Sequence, residues 1–371
     1  MTNSMKISLF PFLVIALMFS LGCSKDDNVS TQPTYTVPET YTFKSVDSIP
    51  AKTLLSMLAN MELVMNQGNA SGNVVDAAKL KSMFANQGGY FRDTTFSDKP
   101  LNLNASSINL KANTIGASQS VIDIVFDSIA LASQSGQPSS NGVAGVSSRK
   151  TLLSANGMYW RQYFTKSMMG VLIGHLITDV YLGDSLNSSA SIEAKQHAWD
   201  QAFYLWCVPV NFPANRAGVK YWGSYTSQVD SGVVKPVVKL TGINSNPTLM
   251  AAFLKGRAAL ENNDLATAKA QAAIIIPMFE VIEAAAALHE LNEAKAGIAN
   301  GPAAVCGLLS ESLGFWTALK FNQHKKISDA DHQAVTAMFG TNFYNMTVEQ
   351  IDNIINKISS IYGWDSVKSF L

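Results

Sequence analysis

The sequence predicts an all-α protein built as two packed helical bundles, with at most a small β-hairpin. Three observations carry this. From Ile49 onward the apolar residues recur at helical spacing. Two of the helical stretches open on a hydroxyl followed three residues later by an acceptor, Ser328-x-x-Asp331 and Thr347-x-x-Gln350, a pairing that satisfies orphan amides. The third is bulk: a chain of 371 residues, 47% apolar and 15% charged, supplies more core than one bundle holds.

Leu54, Leu55, Leu58, Met61, Leu63 and Met65 stripe a first helix over Ile49–Gln67, and Asp76–Ala85 reads as a second. The polar stretch Gln87–Thr114 carries little period and predicts an irregular excursion. Val121, Ile122, Ile124, Val125 and Ile129 mark a helix over Ser118–Ser133, and Gly136–Val146 is a loop rich in Gly, Ser and Asn. Arg149–Leu182 is a long helical region in which Gly170-x-x-x-Gly174 admits a close neighbour, and Ile192–Trp206 is another. Pro209, Pro213 and Gly218 break the pattern. Within Thr226–Asn246, Val233-Val234 and Val237-Val238 either pair as the hairpin or pack as loop. Helices return over Thr248–Glu261, Leu265–Asn300, Ala303–Asn322, Asp329–Phe339 and Val348–Ile361, with a last turn near Asp365–Phe370. Pro277 should kink Leu265–Asn300 or divide it near Ile274. The first bundle is expected over 46–240 and the second over 241–371.

The N-terminus carries an address. Lys6 precedes an apolar run, Ile7–Leu21, that is short for a membrane span. It ends in Ser20-Leu21-Gly22-Cys23, which resembles the lipobox of bacterial lipoproteins; residues 1–22 are then a signal peptide and Cys23 is acylated. Ser24-Lys25-Asp26-Asp27 resembles the acidic signal that sends lipoproteins of some Gram-negative bacteria to the outer face of the outer membrane. Residues 23–45 read as an extended tether, rich in Thr, Pro, Ser and Asn over Asn28–Thr42. The expected partner is therefore the membrane, through lipid on Cys23. Balanced charge, 27 basic against 27 acidic residues, argues against nucleic acid. Cys207 and Cys306 lie in apolar runs, either as two buried thiols or as one disulfide.

Two histidine-carboxylate groups are candidate sites for a divalent metal. Glu193, His197 and Asp200 follow steps of four and three along one helix face, where carboxylate and imidazole can hold a cation or simply hydrogen-bond each other. His289 and Glu293 share a helical phase with Met278, Ile282, Ala285 and Ala286. Glu311, on the following helix, would approach them if the two helices pack antiparallel, giving either a metal site or a structural polar knot. His175 and Asp179 repeat the four-residue step and read as a satisfied core pair, whereas His324 and His332 read as solvent-facing. Trp199, Tyr204 and Trp222 are candidates for lining a ligand cleft. No His-Glu-x-x-His pair, Walker loop, dinucleotide fingerprint or Gly-x-Ser-x-Gly elbow is present, so no catalytic residue is assigned.

Six phrases carry a family resemblance: Tyr41-Thr42-Phe43, Asp76-Ala77-Ala78-Lys79-Leu80, His197 through Phe203, Tyr221-Trp222-Gly223-Ser224-Tyr225, Phe253 through Ala259, and Ser310 through Phe315. In this order they resemble an uncharacterised bacterial lipoprotein family, domain of unknown function 4856. That family is similar to imelysin-like proteins, which implies a two-bundle helical fold at the periplasm or cell surface and a link to iron uptake. The imelysin hallmark Gly-x-His-x-x-Glu is absent, since Gly174 stands directly before His175 and no Glu follows three residues on. The expectation is a ligand- or metal-binding accessory in nutrient or iron acquisition. The alternatives are a scaffold docking on an outer-membrane transporter and an imelysin-like peptidase.

Overall fold

Apolar residues at helical spacing give twelve α-helices among the described residues, which in this computed structural model are 35–96, 99–230 and 244–371. They are α1 Ile49–Asn66, α2 Ala77–Phe84, the single turn α3 Leu110–Asn113, α4 Gly116–Ser133, α5 Trp160–Met168, α6 Ile192–Trp206, α7 Tyr221–Asp230, α8 Ser245–Glu261, α9 Leu265–Gly297, α10 Pro302–Leu319, α11 Asp329–Met338 and α12 Val348–Tyr362. The fold is all-α, with helical bundles packed around long inner helices. Cys23, the tether up to Thr34, the hairpin considered at Val233–Val238 and the boundary expected at 240 lie outside the described residues. Val37–Leu371 make one compact unit, and helices from both sides of that boundary share contacts, α6 with α8 and α5 with α10.

The caps legible in the sequence form. Ser328 accepts from Asp331 N, and Thr347 and Gln350 make a reciprocal capping box. Asp76 and Ser191 cap α2 and α6 in the same way.

Four elements differ from expectation. Arg149–Tyr159 is not helical; Leu152–Leu153 pairs instead with Gly145–Val146 as a short antiparallel ladder, and Thr94–Phe96 pairs with Lys99–Leu101 in a second. Helix α7 forms just beyond the breakers at Pro213 and Gly218 because Trp222 is drawn into the core. Pro277 sits inside one continuous α9. The carbonyl whose partner the proline removes belongs to Ala273, which is exposed, so water can serve it. Lastly, α5 runs on as two π-helical segments, Met169–Gly174 and Leu176–Ser185. Such wide winding is rare beyond single turns and is frequent at functional sites.

Helix α9 is the inner axis. It packs on α8, α10, α12, α7 and the second π segment. Its stretch to Asn300 is long and apolar enough to cross a membrane by composition, but 61% of the apolar window is buried in the fold, as in a core helix. The π segments approach it closely because Gly170 has no side chain: a Cβ there would stand 2.4 Å from both Ala318 Cβ and Glu283 Oε1.

Candidate functional site

The face that α5 and its π continuation turn toward α9 and α10 carries a seam of buried polar groups through an otherwise apolar interior. At its first end, Glu311 Oε1 lies 2.8 Å from Lys166 Nζ and accepts from Tyr225 Oη at 2.7 Å, while Oε2 accepts from Gln162 Nε2 at 2.6 Å. Lys166 also donates to Tyr225 Oη and stands over the rings of Tyr225 and Phe315. Glu290 joins this group electrostatically: burial, then the charge of Glu311, pushes its carboxyl up to about 8 against the pull of Lys166. Burial and the same two carboxylates push the Tyr225 hydroxyl well above its ordinary range.

At the other end, the π winding gathers a second cluster. Asp179, 4% exposed, has Oδ2 at 2.6 Å from His175 Nδ1 and Oδ1 at 3.3 Å from His324 Nε2. The Thr178 hydroxyl lies 2.9 Å from the same Oδ1. A carboxylate held against Nδ1 favours the tautomer with its proton there, leaving Nε2 of His175 as the acceptor.

Between the two ends, Glu283 is 3% exposed, and its Oε1 has no hydrogen-bond partner among the described residues. Burial, then the charge of Glu280, holds this carboxyl well above its ordinary range. Glu280, one turn earlier, is satisfied by Lys326 N, Ile327 N and the Tyr362 hydroxyl. Glu283, His175, Thr178, Asn322, Gly170 and Gly174 line one cavity of about 10 Å³, room for a single atom-sized guest.

The candidate groups read from the sequence are rearranged. Glu193, His197 and Asp200 do not converge. Glu193 is exposed, and His197 is half-buried with Nε2 lacking a hydrogen-bond partner among the described residues. Asp200 turns fully inward, where Oδ1 accepts from Arg257 Nε and Tyr41 Oη, both at 2.8 Å. The step of three from His197 crosses from the flank of the helix to its core face, and a carboxylate that deep needs a cation.

His289, Glu293 and Glu311 do not form a knot either. Glu293 is exposed and His289 only half-buried, whereas Glu290 and Glu283 point in. The assigned phase fails because nearly every residue of α9 from Phe279 to Leu291 is buried, so no wet face marks the core side there. Only Glu311 falls in the polar seam. Among the described residues no three His, Cys, Asp or Glu side chains group as a ready metal centre.

Of the aromatic trio, Trp199 and Trp222 are core. Trp199 donates Nε1 to Phe253 O and Trp222 donates Nε1 to Met169 O, and only an edge of Trp222 meets the small cavity. Tyr204 does line a larger pocket. Cys207 and Cys306 are free, buried thiols. Two residues outside the candidate groups read from the sequence belong to the seam. His324 comes to Asp179 through tertiary packing that leaves no local pattern, and Glu283 was hidden in an alanine-rich run.

The class so defined is an all-α protein with an internal polar seam. Residues 38–365 match the family model described as Domain of unknown function (DUF4856), and the chain belongs to that family. Comparison with curated proteins and with solved structures gives no match. Five of the six phrases now have physical content, because they meet in two places. Tyr41 stacks on Phe203 at 3.6 Å and bonds Asp200, which binds Arg257; a Cβ at Gly256 would fall 2.0 Å from the Trp199 ring. Tyr225 joins Glu311 and packs on Phe315 at 4.7 Å, closing the seam.

Proposed function

We propose that the protein is a lipoprotein of the outer membrane, anchored through Cys23, whose helical body binds a small divalent cation at the π-helical end of the seam as an accessory in metal or nutrient acquisition. The single observation behind the binding reading is Glu283: a buried carboxyl oxygen without a hydrogen-bond partner among the described residues, in one cavity with a histidine whose orientation a second carboxylate fixes. A cation there would be held by Glu283 and His175, with the neutral oxygens of Thr178 and Asn322 beside them. The donor chemistry suits a borderline ion such as Zn²⁺ or Fe²⁺. His324, 41% exposed on its side chain, marks the entry side. The cation is cargo in this reading.

Thermal unfolding of the full chain with Zn²⁺, Fe²⁺ or Ca²⁺ tests the proposal. A cation at about 100 times its Kd should add about 2.7 kcal/mol of stability. Glu283→Gln and His175→Gln should each abolish that gain, and Glu193→Ala with His197→Ala should leave it intact. Because Glu283 must lose its proton to bind, affinity should rise with pH. No gain with any of the three ions, or a gain that survives Glu283→Gln, ends the cation reading. For the anchor, labelled palmitate should enter the chain and be lost in Cys23→Ser; an unlabelled wild-type chain would refute it.

A further inference from the structure

A cavity separate from the seam and from the pocket of Tyr204 lies where three loops meet beside the last turns of α4 and the first turn of α5. It is open to solvent, has a volume of about 510 Å³, and falls within the size range of small-molecule sites. Small residues, Ala132, Gly142, Ala144 and Ala155, leave the room. Its polar groups are the amides of Asn156 and Asn342 and the hydroxyls of Ser128 and Ser154, and no charged side chain lines it among the described residues. Trp160 supplies the aromatic wall, with Leu131, 71% exposed, nearby. This tryptophan is only half-buried, whereas the other five of the chain's six are buried.

The loops are distant in sequence and are tied together by side-chain amides. Asn156 Nδ2 donates to Thr341 O at 2.7 Å, and Asn156 O accepts from Phe343 N at 2.8 Å. Asn342 Nδ2 donates to Asn141 Oδ1, and Asn141 Nδ2 donates in turn to Asn345 Oδ1, both at 2.9 Å. Gly142 N donates to Ala155 O at 2.8 Å. At Gly157, φ 86° and the missing side chain let the loop turn against Cys306, whose sulfur would stand 2.8 Å from a Cβ there. Loops held to a rigid scaffold in this way are where binding groups collect. The same bonds orient the amides. A carboxamide brings two N–H donors, and these bonds use one in Asn156 and one in Asn342, so a second in each remains to meet a guest.

An aromatic wall with neutral donors and acceptors defines the guest. We propose that this cavity binds an uncharged pyranose sugar, with one C–H face of the ring against the Trp160 indole and its hydroxyls toward Asn156, Asn342 and Ser128. The slightly positive C–H face of a sugar ring suits the negative face of the indole. Each sugar hydroxyl both donates and accepts, which amides and hydroxyls can answer together. An ion would lose its hydration with no opposite charge in the wall, and a purely apolar guest would strand the amides. The site is independent of the cation reading of the seam, and neither stands or falls with the other.

Tryptophan emission of the full chain tests it, because a guest on Trp160 touches the one indole that is not already buried. The probes are the methyl β-glycosides of glucose, galactose, mannose and N-acetylglucosamine. At least one should shift the emission saturably with a Kd of about 10 mM or tighter. Cyclohexanol, a ring without the other hydroxyls, and the uronate of the best-bound sugar should each bind about tenfold or more weaker. Trp160→Leu, which keeps an apolar side chain, should remove the emission shift and weaken binding about tenfold by calorimetry. No saturable shift with any of the four glycosides up to roughly 50 mM overturns the proposal. So does cyclohexanol or the uronate binding as tightly as the sugar, or calorimetric affinity unchanged in Trp160→Leu. If that variant does not fold, the comparison of glycosides with cyclohexanol on the wild-type chain still decides.

Discussion

Replacing Arg257 by Met should destabilise the protein by about 3–5 kcal/mol, the penalty for stranding a buried carboxylate without its cation. Arg257 and Asp200 are both 0% exposed and joined at 2.8 Å. The guanidinium also donates Nη2 to Lys44 O and stacks over Phe43, so the same change releases the segment that leads into α1. The double variant Asp200→Asn, Arg257→Met should recover most of the loss, because no charge then remains inside. Urea unfolding midpoints at unchanged slope provide the measurement. A single variant within about 1 kcal/mol of wild type would show that water reaches this pair.

Lys166→Met should have a comparable effect, and one that depends on pH. In the native chain the Glu290 carboxyl is raised from 4.5 to about 8. Between those values the folded state holds a proton that the unfolded chain has released, so stability falls as pH rises through the window, by at most about 1.4 kcal/mol per pH unit. Glu290→Gln should remove this slope. Lys166 opposes the upward shift of Glu290 and pairs with Glu311, so its loss should cost about 3 kcal/mol or more near pH 8. Near pH 5 the cost should be smaller, since protons can replace the lost ammonium. Equal losses at pH 5 and pH 8 would contradict the assignment of Glu290 and Glu311 as a charge-coupled pair.

What the sequence disclosed was local. The hydroxyl caps at Ser328 and Thr347 rest on contacts within four residues, so a linear pattern suffices to find them. The bounds of α6 followed from helical spacing along the chain and the breakers after it. Contacts between distant segments were out of reach. Tyr41 reaches Phe203, and His324 reaches Asp179, across long separations that no spacing rule encodes. The inward turn of Glu283 and Glu290 was invisible for a different reason: periodicity reveals a face only when the opposite face is wet, and the stretch of α9 from Phe279 to Leu291 is buried nearly all round. The site residues were therefore misphased by one position, His289 for Glu290, while the helix itself was placed correctly.

The π winding over Met169–Ser185 also bears on how this chain can change length. Its i→i+5 ladder accommodates more residues per turn than an α-helix does. One residue lost there can be absorbed by rewinding part of the stretch as α, keeping its two ends nearly in place. The same loss in α9 has no slack to draw on and would swing Glu280 away from its partners and turn Glu283 and Glu290 out of the seam. Indels among relatives should thus collect in the wide-wound helix and spare the inner axis, so the segment that shapes the small cavity is also the one most open to evolutionary retuning.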